Sequence, residues 1–257
     1  MRFASLGSGS KGNGTVVATG QGCLLVDCGF GVRDATARLA RLGLAPDDLA
    51  AILVTHEHGD HVRGVSALAR RHDVPVYTTF GTARATHGRR DDLAGTRLEE
   101  VRPGRGFSIA DIDIMPVAVP HDAREPCQFV FTASERRLGV LTDLGAITPH
   151  VQALYSDCDA LVLETNHCPQ MLADGPYPPS LKRRVGGSLG HLSNAQAAGL
   201  AAGLDAGRVQ HLVLSHISEQ NNTPDRALAT IQAALPGDGK ALGIADQDNG
   251  FDWLQVN

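Results

Sequence analysis

The chain has 257 residues, with 42% hydrophobic and 20% charged side chains and a formal net charge of −5 at pH 7. That composition suits an ordinary globular protein able to bury one substantial core, so residues 1–257 read as a single domain. It argues against a membrane span, a strongly basic nucleic-acid binder and, with five cysteines and no CxxC spacing, a disulfide framework. The start of the chain turns polar at Gly7-Ser8-Gly9, which is no secretory signal. A reducing cytoplasm is the expected location, with no membrane partner. Nothing in the sequence specifies a stable protein partner.

In chain order, positions 1–6, 14–19 and 22–27 read as short strands between Gly-rich turns. The first turn, Ser8-Gly9-Ser10-Lys11-Gly12-Asn13, is either an ordinary hairpin tip or an anion-holding loop with Lys11 at hand. Positions 33–43 carry a helical apolar face, and Ala51-Ile52-Leu53-Val54 reads as a buried strand. A helix then runs through Val65, Leu68 and Ala69, before a strand at Val74-Pro75-Val76-Tyr77 and a polar, arginine-containing stretch at 81–97. Strands follow at 107–119, 127–133, 137–142 and 160–164. Ser193 caps a helix over 193–204, strand 209–214 follows, and Thr223 or Asp225 opens another helix. Apolar strands near 241–244 and 251–256 close the chain. Two mixed β-sheets packed face to face with helices outside, an α/β arrangement, accommodate this order.

The most informative segment is His56-Glu57-His58-Gly59-Asp60-His61, directly after strand 51–54. Imidazole nitrogens and carboxylate oxygens at this density hold zinc, manganese or iron. In an irregular segment His56 and His58 can share one ion while Asp60 and His61 turn toward a second. A solvated polar loop with chance histidines is the bland alternative.

This segment matches the HxHxDH signature, and the chain resembles the metallo-β-lactamase-fold hydrolases. Asp27, His121, Asp143 and His216 stand, in order, where that family places a structural aspartate, a third-motif histidine, a bridging aspartate and a last histidine ligand. The resemblance implies an αββα sandwich and two divalent ions, Zn²⁺ or Mn²⁺ with iron also suitable. His56, His58 and His121 would hold one ion, Asp60, His61 and His216 the other, and Asp143 would bridge. Asp27 would orient the ligands rather than touch metal. The implied reaction is hydrolysis by a metal-bridging hydroxide, with no Ser or Cys nucleophile.

The best-known β-lactamases of the fold have a cysteine ligand where this chain has Asp143, which counts against antibiotic hydrolysis. Ser8 to Asn13, Leu163-Glu164-Thr165-Asn166-His167, Gly190-His191-Leu192-Ser193-Asn194 and Leu214 to Asn222 are similar to segments of the YycJ-like (WalJ) subgroup. That likeness implies a phosphodiesterase with 5′-to-3′ exonuclease action on DNA. Asp60, His167 and His191 are the catalytic candidates. The two histidines contact phosphate, donate a proton to the leaving oxygen or ligate metal, unless they serve only as caps or core hydrogen-bonders. Lys182-Arg183-Arg184 is a backbone clamp or a solvated helix face. The alternative function is a small-molecule hydrolase acting on a thioester or cyclic phosphodiester, and a metal-binding scaffold is a third reading. Residues 168–192 have room for a helical excursion over the site.

Overall fold

Strands buried on both faces build the first half of the protein in the computed structural model, which describes residues 1–235 and 241–257. β1 (Arg2–Gly7), β2 (Gly14–Ala18) and β3 (Cys23–Val26) form an antiparallel meander. Along β3, Cys23 and Leu25 join one apolar cluster while Leu24 and Val26 join another, as in a strand buried on both faces. α1 (Val32–Arg41) buries Ala35 and Leu39 and brings the chain back to β4 (Ala51–Leu53), parallel to β3. α2 (Gly59–Val62), α3 (Val65–His72), β5 (Val76–Thr78), α4 (Phe80–Thr86) and β6 (Leu98–Glu100) follow, with both strands added in parallel.

The second half repeats this plan. β7 (Phe107–Ile109), β8 (Ile112–Ala118), β9 (Cys127–Ala133) and β10 (Arg136–Leu141) are antiparallel neighbours. After α5 (Pro149–Tyr155), β11 (Ala160–Glu164) lies parallel to β10. α6 (Pro169–Asp174), α7 (Pro179–Val185) and α8 (Asn194–Ala202) lead to β12 (His211–Ser215), and α9 (Pro224–Ala234) precedes β13 (Ala241–Ile244), again in parallel. The last strand, β14 (Phe251–Gln255), returns to pair with β1. Two seven-stranded sheets result, ordered β14-β1-β2-β3-β4-β5-β6 and β13-β12-β11-β10-β9-β8-β7.

Three apolar layers hold them together. Phe3, Leu24, Phe129, Phe131 and Val162 pack in one cluster between the sheets. Leu39 of α1 and Leu68 of α3 cover the first sheet, while Val151, Leu200 and Ile231 cover the second. Burying each such side chain contributes roughly 1.5–3 kcal/mol. The result is an αββα sandwich of the α/β class. All five cysteines are free thiols, and among the described residues no helix is long and apolar enough to cross a membrane.

Three departures from the sequence reading have local causes. The polar stretch at 81–97 begins inside α4, which Thr79 caps by accepting the Thr82 N–H, and leads into β6, whose three residues are all exposed. The expected strand at 107–119 is a hairpin, β7–β8, because Ala110 turns the chain at φ 52°. α5 is a helix outside the expected elements, capped by Thr148 and opened by Pro149.

Candidate metal centre

Strand ends at one rim of the sandwich deliver the polar residues. β3 leads to Asp27, β4 to residues 55–61, β8 to His121, β10 to Asp143 and β12 to His216, while Glu164 is the last residue of β11. Asp27, Asp143 and His216 have left-handed φ values of 61°, 52° and 51°. That conformation costs an L-residue roughly 1–2 kcal/mol, and Asp and His are among the side chains found there most often. Here it bends the chain as it leaves each strand, at two residues whose side chains enter the cluster, Asp143 and His216, and at Asp27, which holds His61.

Four groups of converging donors form, each with its ligand atoms within 4.8 Å of one another. His56, His58 and His121 make the first, with His58 Nδ1 3.3 Å from His121 Nε2. Asp60, His61 and His216 make the second, with Asp60 Oδ2 3.6 Å from His61 Nε2 and 3.5 Å from His216 Nε2. Asp143 joins both sides: it groups with His56 and His61, and also with Glu164, His191 and His216. Its Oδ2 lies 3.1 Å from His61 Nε2, and its Oδ1 lies 3.5 Å from both His216 Nδ1 and His191 Nδ1.

Buried hydrogen bonds fix which ring nitrogens face inward. Asp27 accepts from the Thr55 N–H and hydroxyl and from His61 Nδ1, each at 2.8 Å, which leaves the His61 Nε2 lone pair for the cluster. The Thr55 hydroxyl, already donating to Asp27, accepts from His56 Nδ1 at 2.9 Å, so His56 Nε2 is also unprotonated. His121 Nδ1 donates to the Gly190 carbonyl at 2.9 Å, with the same consequence.

Glu164 accepts the Leu144 and Leu192 N–H groups at 3.1 and 3.0 Å through one oxygen. Its other oxygen lies 2.7 Å from His191 Nδ1 and 3.3 Å from His216 Nδ1. Burial pushes the Glu164 carboxyl up, but His191 and His216 outweigh it and bring it to about 2. Burial likewise disfavours the His216 imidazolium, yet Asp143, Asp60 and Glu164 raise it to about 10. His56 sits in the opposite field: burial, then its histidine neighbours, hold it well below the usual range. The carboxylate side of the cluster therefore favours positive charge.

The residues suit a divalent ion on two counts. Every converging donor is nitrogen or oxygen, with no thiolate, which fits zinc, manganese or iron. His56 Nε2 and Asp143 Oδ2 are buried without a hydrogen-bond partner among the described residues, an arrangement that costs about 1–3 kcal/mol per atom unless something else satisfies the lone pair.

His56, His58, Asp60, His61, His121, Asp143 and His216 thus come together, and His191 comes with them. His167 does not. It belongs to none of the donor groups, and its buried Nδ1 has no hydrogen-bond partner among the described residues. Its backbone explains its place in the chain, bridging to Ser193 and accepting the Asn194 N–H at the start of α8. Lys182-Arg183-Arg184 lies on α7, where Arg184 pairs with Asp122 beside His58 and His121.

Two grips from the β1–β2 turn carry no periodic signal. Asn13 Nδ2 stands 3.0 Å from His61 Nε2 and 3.3 Å from Asp60 Oδ2. Ser8 Oγ accepts the His216 N–H at 2.8 Å, while Lys11 pairs with Glu219 at 2.6 Å.

Residues 23–217 match the β-lactamase superfamily domain. The chain belongs to that superfamily. Within it, this protein is 34% identical to the exodeoxyribonuclease YycJ of Bacillus anthracis over 252 residues, 96% of each chain. It is 31% identical to the exodeoxyribonuclease WalJ of Streptococcus pneumoniae over 245 residues, 95% of this chain and 91% of that one. The Zn²⁺-bound PqqB of Methylobacterium extorquens superposes over 100% of both chains with a TM-score of 0.75 at 16% identity, a likeness of fold. The chain is a metal-dependent hydrolase of the β-lactamase superfamily, related along nearly its whole length to YycJ and WalJ.

Proposed function

We propose that this chain is a dinuclear metal-dependent phosphodiesterase, acting on DNA as a 5′-to-3′ exodeoxyribonuclease. One observation carries the reaction class: two nitrogen–oxygen donor sets adjoin, and Asp143 belongs to both sides. The choice of DNA rests on relationship to two exodeoxyribonucleases over more than nine-tenths of the chain.

In this proposal His56, His58 and His121 would hold one ion and Asp60, His61 and His216 the other, with Asp143, which groups with donors on both sides, shared between them. Zn²⁺ or Mn²⁺ suits the set. Such a pair supplies Lewis acidity and a water acidified toward neutrality. The chain's own residues do the rest. Asp27 and the Gly190 carbonyl keep His61 and His121 in the ligating tautomer. Asp60 places its carboxylate between His61 and His216.

His191 keeps Nδ1 on Glu164, so Nε2 is left to meet substrate, and its side chain is 21% exposed where His121 and His61 are fully covered. Burial lowers its basicity, but Glu164 outweighs that and raises it, which favours a role for Nε2 as proton donor to the leaving 3′ oxygen. His167 takes no part, because it stands outside every converging group. We further propose that residues 1–257 work as one domain in a reducing cytoplasm, which suits five free thiols.

The test strips the protein with chelator, reloads it with Mn²⁺ or Zn²⁺, and resolves the products of 5′-phosphorylated DNA labelled at its 3′ end. Metal-dependent shortening, lost in His58→Ala with the fold intact by circular dichroism, is the expected result. Wild-type-like turnover by His58→Ala would sink the site. Intact DNA under every metal, with hydrolysis of a thioester or cyclic phosphodiester instead, would hand the assignment to the small-molecule reading.

A further inference from the structure

A groove of about 590 Å³ opens beside the metal centre. One wall is formed by Gly59 of α2, Arg63 in the turn after it and Arg70 of α3. The facing wall comes from Gly31 and from Arg89, Arg90 and Asp91 beyond the end of α4. Gly59 stands between His58 and Asp60, so the groove begins on the backbone of the ligand segment itself. From Gly59 to Arg70 is 70 − 59 = 11 steps. At about 1.5 Å per residue that is at most ~16 Å, room for a few phosphates of a strand.

Charge and surface chemistry agree with such an occupant. Four arginines face one carboxylate, a local surplus of positive charge in a chain whose net charge is −5. Asp91 is already taken by Arg89, through two contacts of 3.1 Å. Arg70 is steadied by Ser66 Oγ at 3.1 Å and the Ala94 carbonyl at 3.3 Å. Arg63 reaches the Lys11 carbonyl at 3.4 Å, and Arg90 has no hydrogen bond or ion pair among the described residues. Arginine forks match phosphate oxygens two at a time. The walls are bare at Gly31 and Gly59, where a Cβ would meet no atom within 4 Å. A backbone lying in the groove can therefore approach the main chain closely.

We propose that this groove carries the sugar–phosphate backbone of the DNA strand leading to or from the cleavage site. The inference deepens the nuclease reading above and rests on it. The groove supplies the attraction for a polyanion that the chain's overall charge withholds, and it places that attraction next to the reacting bond.

Two substitutions on the facing wall test it. Arg90→Glu reverses one charge, and Gly31→Glu puts a carboxylate into the groove at φ −62°, ψ 154°, a conformation open to any residue. Binding of 5′-phosphorylated single-stranded DNA of about 12 nucleotides is followed by fluorescence anisotropy in chelator, so the readout needs no turnover. Hydrolysis of bis(p-nitrophenyl) phosphate, a diester too small to span the groove, is measured beside it with metal restored. The expected result is a loss of affinity of about tenfold or more in each variant. The salt slope in Arg90→Glu should fall by about 0.7, with small-diester turnover held within about twofold.

DNA affinity equal to wild type in both variants, while wild type still shortens DNA, overturns the groove and leaves the nuclease reading standing. Wild type that cleaves the small diester but neither binds nor cuts DNA overturns the reading and the groove together. A matching loss of small-diester turnover in both variants also overturns the groove, since the damage then lies in the metal centre.

Discussion

Asp27 shows how one side chain outside the converging donors can govern them. Its carboxylate holds the first residue of the ligand segment, Thr55, and fixes His61 through Nδ1. Asp27→Ala removes the anchor and leaves a residue with no local polar stabilisation at φ 61°, a conformation that costs roughly 1–2 kcal/mol. Metal affinity is expected to fall about 10–100-fold, the usual effect of losing such a partner, read by competition with a chromogenic chelator. Unchanged affinity would show that His61 is oriented by something else. The dense histidine segment and Asp27 were legible because they sit next to apolar strand runs. Asn13 on His61 and the Gly190 carbonyl on His121 were not, since these contacts join residues 48 and 69 positions apart without any periodic signal. His167 stands apart from the donors for a related reason: Glu164 points into the cluster from β11, but three residues further the backbone at His167 already meets the start of α8.

Local signals make some elements legible, but a cap alone does not suffice, as α5 with its Thr148 cap and Pro149 shows. α8 is the clear case. Ser193 Oγ accepts the Gln196 N–H at 3.3 Å, and Gln196 Oε1 accepts the Ser193 N–H at 2.9 Å, a reciprocal box at the start of a helix that packs Leu200 and Ala201 into the core. β6 carries no apolar alternation and gave no such signal. Ser193→Ala should cost about 1 kcal/mol, lowering Tm by about 2–4 °C in a chain of this length, with Ser193→Thr retaining most of it. Differential scanning calorimetry on the apo protein checks this. Equal melting of wild type and Ser193→Ala would mean that burial of α8 alone sets its start.

Across the whole molecule, chemistry and anchoring occupy opposite rims of the second sheet. The converging donors leave the carboxyl ends of β10, β11 and β12, where open parallel sheets present their ligands. At the other ends of the same strands, the buried Asp159 carboxylate accepts the Arg137 N–H at 2.7 Å and pairs with Arg208 at 3.0 Å and Arg136 at 3.3 Å. Burial opposes its ionisation, but the Arg137 N–H, Arg208 and Arg136 outweigh that and hold the carboxyl below the ordinary range. A carboxyl depressed on folding contributes stability that is fully present above its unfolded value, about 3.9, and is lost as pH falls toward the folded value. Asp159→Asn removes the charge and should cost about 2 kcal/mol at neutral pH, the scale of a lost charge-assisted hydrogen bond. Because the clamp lies at the rim away from the donors, metal-dependent turnover of the folded variant should match wild type. Urea unfolding of both proteins in chelator, at pH 7 and again near pH 3, isolates the effect from metal binding. The gap between the two midpoints should narrow at the lower pH as the wild-type carboxylate takes up its proton. A gap that stays constant would show that Asp159 stabilises by packing and neutral hydrogen bonds, not by its charge.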